Sequence, residues 1–259
     1  MTRTKTVFWI GERVLVEPCL REVHGQAVDP PWYFGSECNG AFAEYTVVAS
    51  RHAHAVASHL DDVALASFPC SYSTAENLLT RAGVRAGQSV LVTGASGGVG
   101  SAAVQLARAR GAQVIAVTRA AKAGRLRELG AERTVDRSDD LAETLGESTV
   151  DVVIDVVGGP GFPALLEVLR PDGVYAVSGA IAGPLVELDL RTLYLKDLVL
   201  RGSTALEPGV FAALIAHIEA GRVVPVVAAT FPLEHIVEAQ QAFLAKEHVG
   251  KIVLTVAPR

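Results

Sequence analysis

The hydrophobic and polar positions near the start of the chain alternate in short runs that are typical of strands. Residues 11–16 (GERVLV) alternate polar and apolar side chains, and residues 42–48 (FAEYTVV) form a second run. Both runs predict strands within a β-rich segment that spans residues 7–60. The consecutive prolines within residues 29–33 predict a loop between the strands, because proline cannot donate a hydrogen bond inside a sheet.

A helical pattern follows at Asp61 and Asp62, which are placed to cap an apolar run, and a second helix starts at residues 73–79 and ends at Gly83. From there to residue 202, short apolar runs alternate with helical ones. That alternation predicts a parallel sheet covered by helices on both faces. The predicted strands are residues 90–92, 113–118, 133–135, 152–155, 173–178 and 198–202, and the predicted helices are 101–107, 121–129, 139–145 and 162–169.

The last segment of the chain, residues 206–259, combines helical and strand patterns. A helical run covers residues 210–220, and a strand is predicted near residues 223–227. A second helix is predicted at residues 233–246 and a closing strand at 251–256.

A glycine-rich turn, residues 94–100 (GASGGVG), lies between the apolar run 90–92 and the helical run 101–107. The order of strand, glycine turn and helix is typical of a dinucleotide-binding site. Glycines permit the tight turn and let a pyrophosphate approach the backbone, while the following helix directs free amides and its positive dipole end at the anion.

This stretch of sequence also fits three other interpretations. Residues 86–107 carry no charge and are long enough to cross a bilayer, but their Gly, Ser and Gln content is more typical of a protein core. The glycine spacing also fits the pattern of the short-chain dehydrogenases. That family would require a Tyr with a Lys four residues later, and no tyrosine of this chain has one. A buried strand–helix unit that binds no ligand remains open as an alternative.

Composition limits the class of protein. The chain has 259 residues, of which 50% are hydrophobic and 20% charged, so it can bury a full core. A net charge of −5 argues against nucleic acid as a partner. The start, Met1 to Lys5, leads into too few apolar residues for a signal peptide, and three cysteines without a Cys-x-x-Cys pair favour a reducing, cytoplasmic location.

Several motifs together resemble the medium-chain dehydrogenase/reductase superfamily, in particular its quinone-oxidoreductase-like branch and its zinc-type alcohol dehydrogenases. The motifs are GAFAEY at 40–45, GQSVLV at 87–92 leading into GGVG at 97–100, VDVVID at 150–155, and GKIVL at 250–254. The resemblance implies an α/β fold, with a Rossmann doubly wound parallel sheet and a partial GroES-like β-rich lobe.

The resemblance also implies a division of the chain. Residues 1–71 would form the partial catalytic lobe, residues 72–205 the Rossmann nucleotide-binding domain, and residues 206–259 a segment that returns to the catalytic lobe. Members of the family have a long β-rich segment before the strand that begins here at Gly11. We therefore expect most of the N-terminal lobe, with its first zinc ligands, to be missing from this chain.

The coenzyme preference is predicted from the end of the second strand of the nucleotide unit. A site that prefers NAD(H) places an acidic residue there to hold the ribose hydroxyls. This chain has Thr118 and Arg119, with Lys122 and Arg125 beyond, and we expect no carboxylate in place to repel a phosphate. Arginine matches phosphate oxygens with a planar fork. The pattern favours NADP(H), although solvated cations at a helix start are the alternative interpretation.

The resemblance adds further coenzyme contacts at strand ends and at Lys251 near the C-terminus. Asp155 ends a predicted strand, where it would either face the ligand or cap the turn at Gly158 and Gly159. The full set of predicted coenzyme-binding residues is Thr74, Ala95, Ser96, Gly97, Gly98, Val99, Gly100, Thr118, Arg119, Lys122, Ser178, Gly179, Ala180, Ser203 and Lys251.

No metal site is predicted. Cys70 lies where zinc-dependent members of the family keep a ligand, but a catalytic zinc needs three protein ligands, so we expect Cys70 to be a small buried hydrophobic residue. The histidines at 52, 54 and 59 are expected to lie in a surface loop. No catalytic residue can be named, and Tyr72 and Tyr45 are candidate proton donors only as hydroxyls near the expected cleft.

The resulting hypothesis is an NADPH-dependent oxidoreductase that transfers a hydride to an activated C=C or C=O bond, such as that of a quinone, enone or aldehyde, without zinc. The alternative is a protein that binds NADP(H) without turnover, or a truncated and inactive family member. The expected partners are a small-molecule substrate and a second copy of the chain, paired through the edge strand at residues 198–202. Neither a membrane nor a nucleic acid is expected.

Overall fold

The computed structural model describes residues 8–256, so Met1 to Lys5, on which the signal-peptide prediction rests, lie outside the described residues. The described residues fold into two compact units, one made from residues 8–73 together with 208–256 and the other from residues 74–207. The division after residue 73 falls within the first turn of the helix Ser71–Arg81.

A six-stranded parallel sheet forms the centre of the unit built from residues 74–207. Its strands in chain order are β5 (Ser89–Val92), β6 (Gln113–Thr118), β7 (Arg133–Asp136), β8 (Val150–Asp155), β9 (Leu169–Val177) and β10 (Val199–Gly202), following four strands of the other unit. The spatial order is β10-β9-β8-β5-β6-β7, which is the doubly wound order of a Rossmann fold. The predicted fold class is confirmed.

Helices precede and connect these strands. They are α2 (Ser71–Arg81), α3 (Gly98–Ala109), α4 (Ala120–Leu129), α5 (Leu141–Leu145), α6 (Phe162–Glu167) and α7 (Leu190–Leu195), after α1 of the other unit. The helix predicted at 162–169 ends two residues early, because Leu169 already pairs with Val150 in the sheet. The helix α7 was not predicted. Its start is fixed by Asp189, whose carboxylate accepts a hydrogen bond from the Arg191 amide.

The core of this unit lies between the sheet and its helices. Central strand residues such as Leu91 and Val153 are fully buried, and Leu165 and Leu166 of α6 pack into the same cluster. Burial of both faces explains why these strands are continuous apolar runs without alternation.

The other unit contains short strand pairs. β1 (Val14–Val16) pairs with β4 (Ala53–Ala55), and β2 (Cys19–Val23) pairs with β3 (Gln26–Tyr33), both antiparallel. The loop predicted at residues 29–33 is wrong, because these residues belong to β3.

Proline is accommodated in β3 for two reasons. The strand pairs with β2 on one side only among residues 8–256, and its register shifts between the pairs formed by Leu20 and Glu22. The prolines fall in the stretch between Ala27 and Trp32, which has no ladder partner.

Two further predictions for this unit are wrong. Residues 42–48 contain no strand, and Phe42, Tyr45 and Val47 are exposed. A strand-like pattern of polar and apolar residues is not sufficient to form a strand, since a strand also needs a neighbouring strand to which its backbone can bond. The histidines do not share one surface loop: His52 is 3% exposed and accepts hydrogen bonds at Nε2 from the backbone amides of two β2 residues, whereas His59 is exposed.

The remaining elements complete the same unit. α1 (Asp62–Ala66) is capped by Asp61, whose Oδ1 accepts a hydrogen bond from the Ala64 amide as the sequence predicts. After α8 (Val210–Glu219) come β11 (Val227–Pro232), α9 (Ile236–Ala245) and β12 (Lys251–Thr255), and the two strands pair in parallel. The strand predicted near residues 223–227 is observed instead as β11, which begins at Val227. Among the described residues, no helix has the length and apolar character needed to cross a membrane.

Candidate nucleotide-binding site

The glycine turn between β5 and α3 is closed by its own backbone. The Gly97 amide donates to the Gly94 carbonyl at 2.9 Å, and Gly94 adopts a positive φ of 55°. A side chain at Gly100 would place its Cβ 2.6 Å from Ala95 Cα, so only glycine fits where the helix crosses the turn.

The N-terminus of α3 faces this turn. Gly97 is its N-cap and provides no side-chain hydrogen bond to the first helical amides. The predicted site residues Ala95, Ser96, Gly97, Gly98, Val99 and Gly100 therefore form one continuous turn that leads into α3. Free amides and the positive end of the helix dipole are what an anionic pyrophosphate requires.

The neighbouring strand β6 ends at Thr118, which is only 4% exposed. Its hydroxyl oxygen has no hydrogen-bond partner among the described residues. An unsatisfied buried hydroxyl is costly in a folded protein and is expected where a ligand completes the contact. Arg119, which follows, is the exposed N-cap of α4, and Lys122 lies in the first turn of that helix.

A carboxylate that the sequence did not reveal lies at the start of α4, the helix that follows Arg119 and carries Lys122. Asp136 ends β7 and is the ladder partner of Thr118. Its Oδ2 accepts a hydrogen bond of 2.7 Å from the Ala120 amide, and its Oδ1 accepts from the amide and hydroxyl of Ser138. The hydrogen bonds from Ser138, then from Ala120, lower the pKa of Asp136 below its ordinary value. The prediction that no carboxylate is in place to repel a phosphate is therefore wrong, because β7 brings Asp136 to this strand end.

Asp155 ends β8 beside β5 and is fully buried. Its Oδ1 accepts hydrogen bonds from the Thr93 hydroxyl and from the Val157 and Gly158 amides, and its Oδ2 accepts from the Tyr175 hydroxyl at 2.5 Å. The carboxylate therefore caps the turn after β8, which was one of the two interpretations left open. Burial, then the hydrogen bond to this carboxylate, raise the pKa of Tyr175.

The turn capped by Asp155 packs closely on the loop that follows β9. A Cβ on Gly159 would lie 2.7 Å from the Ala182 carbonyl oxygen, and a Cβ on Gly179 would lie 3.0 Å from the Val156 carbonyl oxygen. The predicted site residues Ser178, Gly179 and Ala180 lie in this loop, and the Ser178 amide donates to the Asp155 carbonyl. The structure thus brings this loop next to the end of β8.

Two more predicted site residues, Ser203 and Thr74, belong to this unit. Ser203 follows β10; its amide donates to the Val177 carbonyl, and its hydroxyl accepts from the Asn77 side chain at 2.9 Å. Ser203 is 3% exposed, so its hydroxyl is largely withdrawn from solvent. Thr74 lies in α2, three residues before Asn77.

The other unit holds the remaining candidates. Lys251 begins β12 there and is half-buried. Tyr72 is 1% exposed and its hydroxyl donates to the Val224 carbonyl at 2.8 Å, so that proton is committed to the backbone. Tyr45 is 77% exposed. The prediction that Cys70 is buried is wrong: it is exposed, with a φ of 67°, immediately before α2.

Comparison with known proteins places the chain in a family. The family model described as "Zinc-binding dehydrogenase" matches residues 98–220. An acryloyl-coenzyme A reductase of Metallosphaera sedula is 34% identical over 225 residues, which are 86% of this chain and 67% of that protein. The chain belongs to the medium-chain dehydrogenase/reductase superfamily.

Other members of the superfamily agree with this assignment. A quinone oxidoreductase of Pongo abelii is 30% identical over 86% of this chain and 71% of its own length. The solved structure of an inferred alcohol dehydrogenase from Sinorhizobium meliloti 1021 is 45% identical, with a TM-score of 0.89, and covers 95% of this chain and 70% of that one. The chain is therefore a member of an oxidoreductase family and spans about two thirds of the length of these relatives.

One solved relative contains a nucleotide. The structure of the 2-octenoyl-CoA carboxylase reductase CinF, in complex with NADP and 2-octenoyl-CoA, is 28% identical, with a TM-score of 0.85. The matched region covers 96% of this chain and 64% of the CinF chain.

The name of the family model implies a zinc ion, but the described side chains do not match the ligand set that a zinc ion needs. Within residues 8–256, no three His, Cys, Asp or Glu side chains are grouped to hold a metal ion. A catalytic zinc requires three such ligands. The described residues therefore do not provide the ligand set of a catalytic zinc.

Proposed function

We propose that this medium-chain dehydrogenase/reductase binds NADP(H) at the carboxyl edge of its parallel sheet and reduces an activated C=C or C=O bond. The observation that carries the proposal is the turn at Gly94–Gly100, where Gly100 has no room for a side chain and α3 presents uncapped amides. The unpartnered hydroxyl of Thr118 at the next strand end supports a ligand at the same edge.

The residues of the chain bind and orient the coenzyme. The amides at the start of α3 would hold the pyrophosphate, and Arg119 with Lys122 would hold the 2′-phosphate that distinguishes NADP(H) from NAD(H). The loop at Ser178–Ala180 would lie against the nicotinamide end, held by its packing on the turn that Asp155 caps.

The substrate class follows from the same proposal. When bound, the reduced nicotinamide supplies a hydride, which with a proton from solvent saturates the C=C or C=O bond and leaves the oxidised coenzyme. Solvent is proposed as the proton source because the Tyr72 hydroxyl is committed to a carbonyl. The relatives named for acryloyl-CoA and 2-octenoyl-CoA make α,β-unsaturated thioesters suitable test substrates beside quinones.

Binding is tested by titrating the purified chain with NADPH and following its fluorescence. Arg119→Asp should weaken NADPH binding by about 1.5–3 kcal/mol, the value of a charge-assisted hydrogen bond. The matched control is Arg127→Asp, which makes the same charge change in the last turn of α4, where Arg127 contacts Thr134. Equal affinity of wild type and Arg119→Asp would overturn the assignment of Arg119.

Turnover is tested by oxidation of NADPH in the presence of a quinone, an enone and an unsaturated thioester. Turnover of any of them supports the oxidoreductase. NADPH binding without turnover of the panel would favour the alternative, a protein that holds the coenzyme without catalysis.

We also propose that two copies of the chain pair through β10. This strand is bonded to β9 on one side only among the described residues, and Val199 and Leu200 are 37% and 39% exposed. Exposed apolar side chains of α7, Tyr194 and Leu195, lie just before it in sequence. An open edge of this kind is suited to two-fold pairing with its own copy. Sedimentation at low protein concentration should detect a dimer, and a strict monomer would rule it out.

A further inference from the structure

The end of β7 brings a carboxylate to the first helical amide of α4. Asp136 Oδ2 lies 2.7 Å from the Ala120 amide nitrogen, and sixteen residues separate the two in sequence. The first amides of a helix are the groups that an anionic ligand ordinarily uses. At α4 one of them is already bound to an anion that belongs to the protein.

The same face of the sheet carries an unsatisfied hydroxyl. Thr118 and Asp136 are ladder partners in the parallel pair of β6 and β7, and ladder partners project their side chains to the same face of a sheet. The Thr118 hydroxyl oxygen is buried without a hydrogen-bond partner among residues 8–256. A polar group of a ligand at this strand end would satisfy that hydroxyl and would come close to the Asp136 carboxylate.

The charges at this strand end oppose one another. Arg119 and Lys122 attract a phosphate, whereas the ionised Asp136 repels it and withholds the Ala120 amide from it. A ribose 2′-hydroxyl carries no charge and is not repelled. The net preference for a phosphorylated or unphosphorylated ribose therefore depends on both signs of charge.

We propose that Asp136 is a specificity-determining residue that weakens the binding of a 2′-phosphate at this site. The proposal rests on the proposed function, because it requires that the adenosine ribose of the coenzyme lies at the end of β6. It assigns the phosphate to the side chains of Arg119 and Lys122 rather than to the first amide of α4. Asp136 thereby reduces the preference for NADPH over NADH that the two cations would give alone.

The decisive variant is Asp136→Asn, whose side-chain oxygen can still accept the Ala120 hydrogen bond. We expect the ratio of the dissociation constants for NADH and NADPH to rise about fivefold, through tighter NADPH binding. The gain should shrink between about 0.01 M and about 1 M salt, because salt screens the charge that the variant removes. A purely structural role would not produce this salt dependence.

Two controls separate charge from stability. Ser138→Ala removes the Ser138 hydroxyl that donates to Asp136 Oδ1, without changing the charge, and should leave the ratio unchanged. Asp140→Asn makes the same charge change on an exposed residue that caps α5 through the Glu143 amide, and should also leave the ratio unchanged.

The outcomes distinguish the two proposals. If the wild-type chain binds neither NADPH nor NADH, the proposed function fails, and this inference fails with it. If the wild-type chain binds NADPH but Asp136→Asn leaves the ratio unchanged or lowers it, the inference about Asp136 is overturned while the proposed function stands. An equal rise in the ratio for Asp140→Asn would also overturn it, since the effect would then be one of net charge.

Discussion

The Tyr175 hydroxyl lies 2.5 Å from Oδ2 of Asp155, and the two residues are 4% and 0% exposed. The Tyr175 ring also meets the Phe162 ring edge to face, with centroids 5.1 Å apart. The pair joins β9 to the carboxyl end of β8, the strand that lies next to β5 where the strand order reverses.

Tyr175→Phe should lower the free energy of unfolding by about 1.5–3 kcal/mol, because it removes a hydrogen bond to a buried charged group and keeps the ring. Urea unfolding measures the change. Tyr194→Phe removes a hydroxyl that is far more exposed, on a residue 61% exposed, and should change stability little. Equal effects of the two variants would show that the contact with Asp155 contributes nothing to stability.

Gly100→Ala should impair both stability and NADPH binding. The added Cβ would meet the Gly94 carbonyl oxygen and would lie 2.6 Å from Ala95 Cα, so the turn must shift, at a cost of about 1–3 kcal/mol. The matched control is Gly124→Ala, in the exposed part of α4 with no atom within 4 Å of the new Cβ. The control should raise stability by about 0.5–1 kcal/mol, since alanine is the better helix former.

Urea unfolding and NADPH titration of both glycine variants check this prediction. Wild-type NADPH affinity in Gly100→Ala would contradict a close approach of the pyrophosphate to the turn.

Glu17 should make the stability of its unit depend on pH. Burial alone would raise its pKa, but the interactions with His52 and His54 outweigh burial and lower the pKa below the ordinary 4.5. His54 Nε2 lies 3.2 Å from Glu17 Oε2. Because the folded pKa is lowered, the stabilising contribution is present above the unfolded pKa and is lost as the pH falls through the folded value.

The free energy of unfolding should therefore decrease as the pH is lowered from about 5 through about 4, and Glu17→Gln should flatten this dependence. Urea unfolding at several pH values measures it. Glu22→Gln is the control, because Glu22 forms a partly exposed ion pair with Arg51 that contributes little. Identical pH dependence in wild type and Glu17→Gln would show that the histidine contacts do not lower the pKa of Glu17.

Cys70 should react with a thiol reagent in the native protein, and Cys19 should not. Cys70 is exposed, whereas Cys19 is 1% exposed and should become reactive only on unfolding. Mass spectrometry after brief alkylation identifies the labelled residue, with Cys70→Ser as the control. Native labelling of Cys19 at the rate of Cys70 would contradict the burial of β2.

The elements of the unit built from residues 74–207 could largely be predicted from the sequence because their signals are local. The apolar run of β5, the glycine turn and the helical run of α3 are adjacent in the chain, and each constrains its own backbone. Predictions failed where the outcome depended on a distant partner. Residues 42–48 alternate like a strand yet pair with none among residues 8–256, while the prolines of β3 are tolerated because one edge of that strand is open.

The sequence by itself determined the order of strands and helices from β5 to β9, the position of the glycine turn and the two cations after β6. Only the tertiary structure decided which residues meet at the carboxyl edge: Asp136 at the Ala120 amide, and Tyr175 at Asp155. The physical reason is that hydrophobic periodicity and backbone preference act over a few residues. A hydrogen bond between strand ends depends instead on the spatial order of the strands, which no short stretch of sequence specifies.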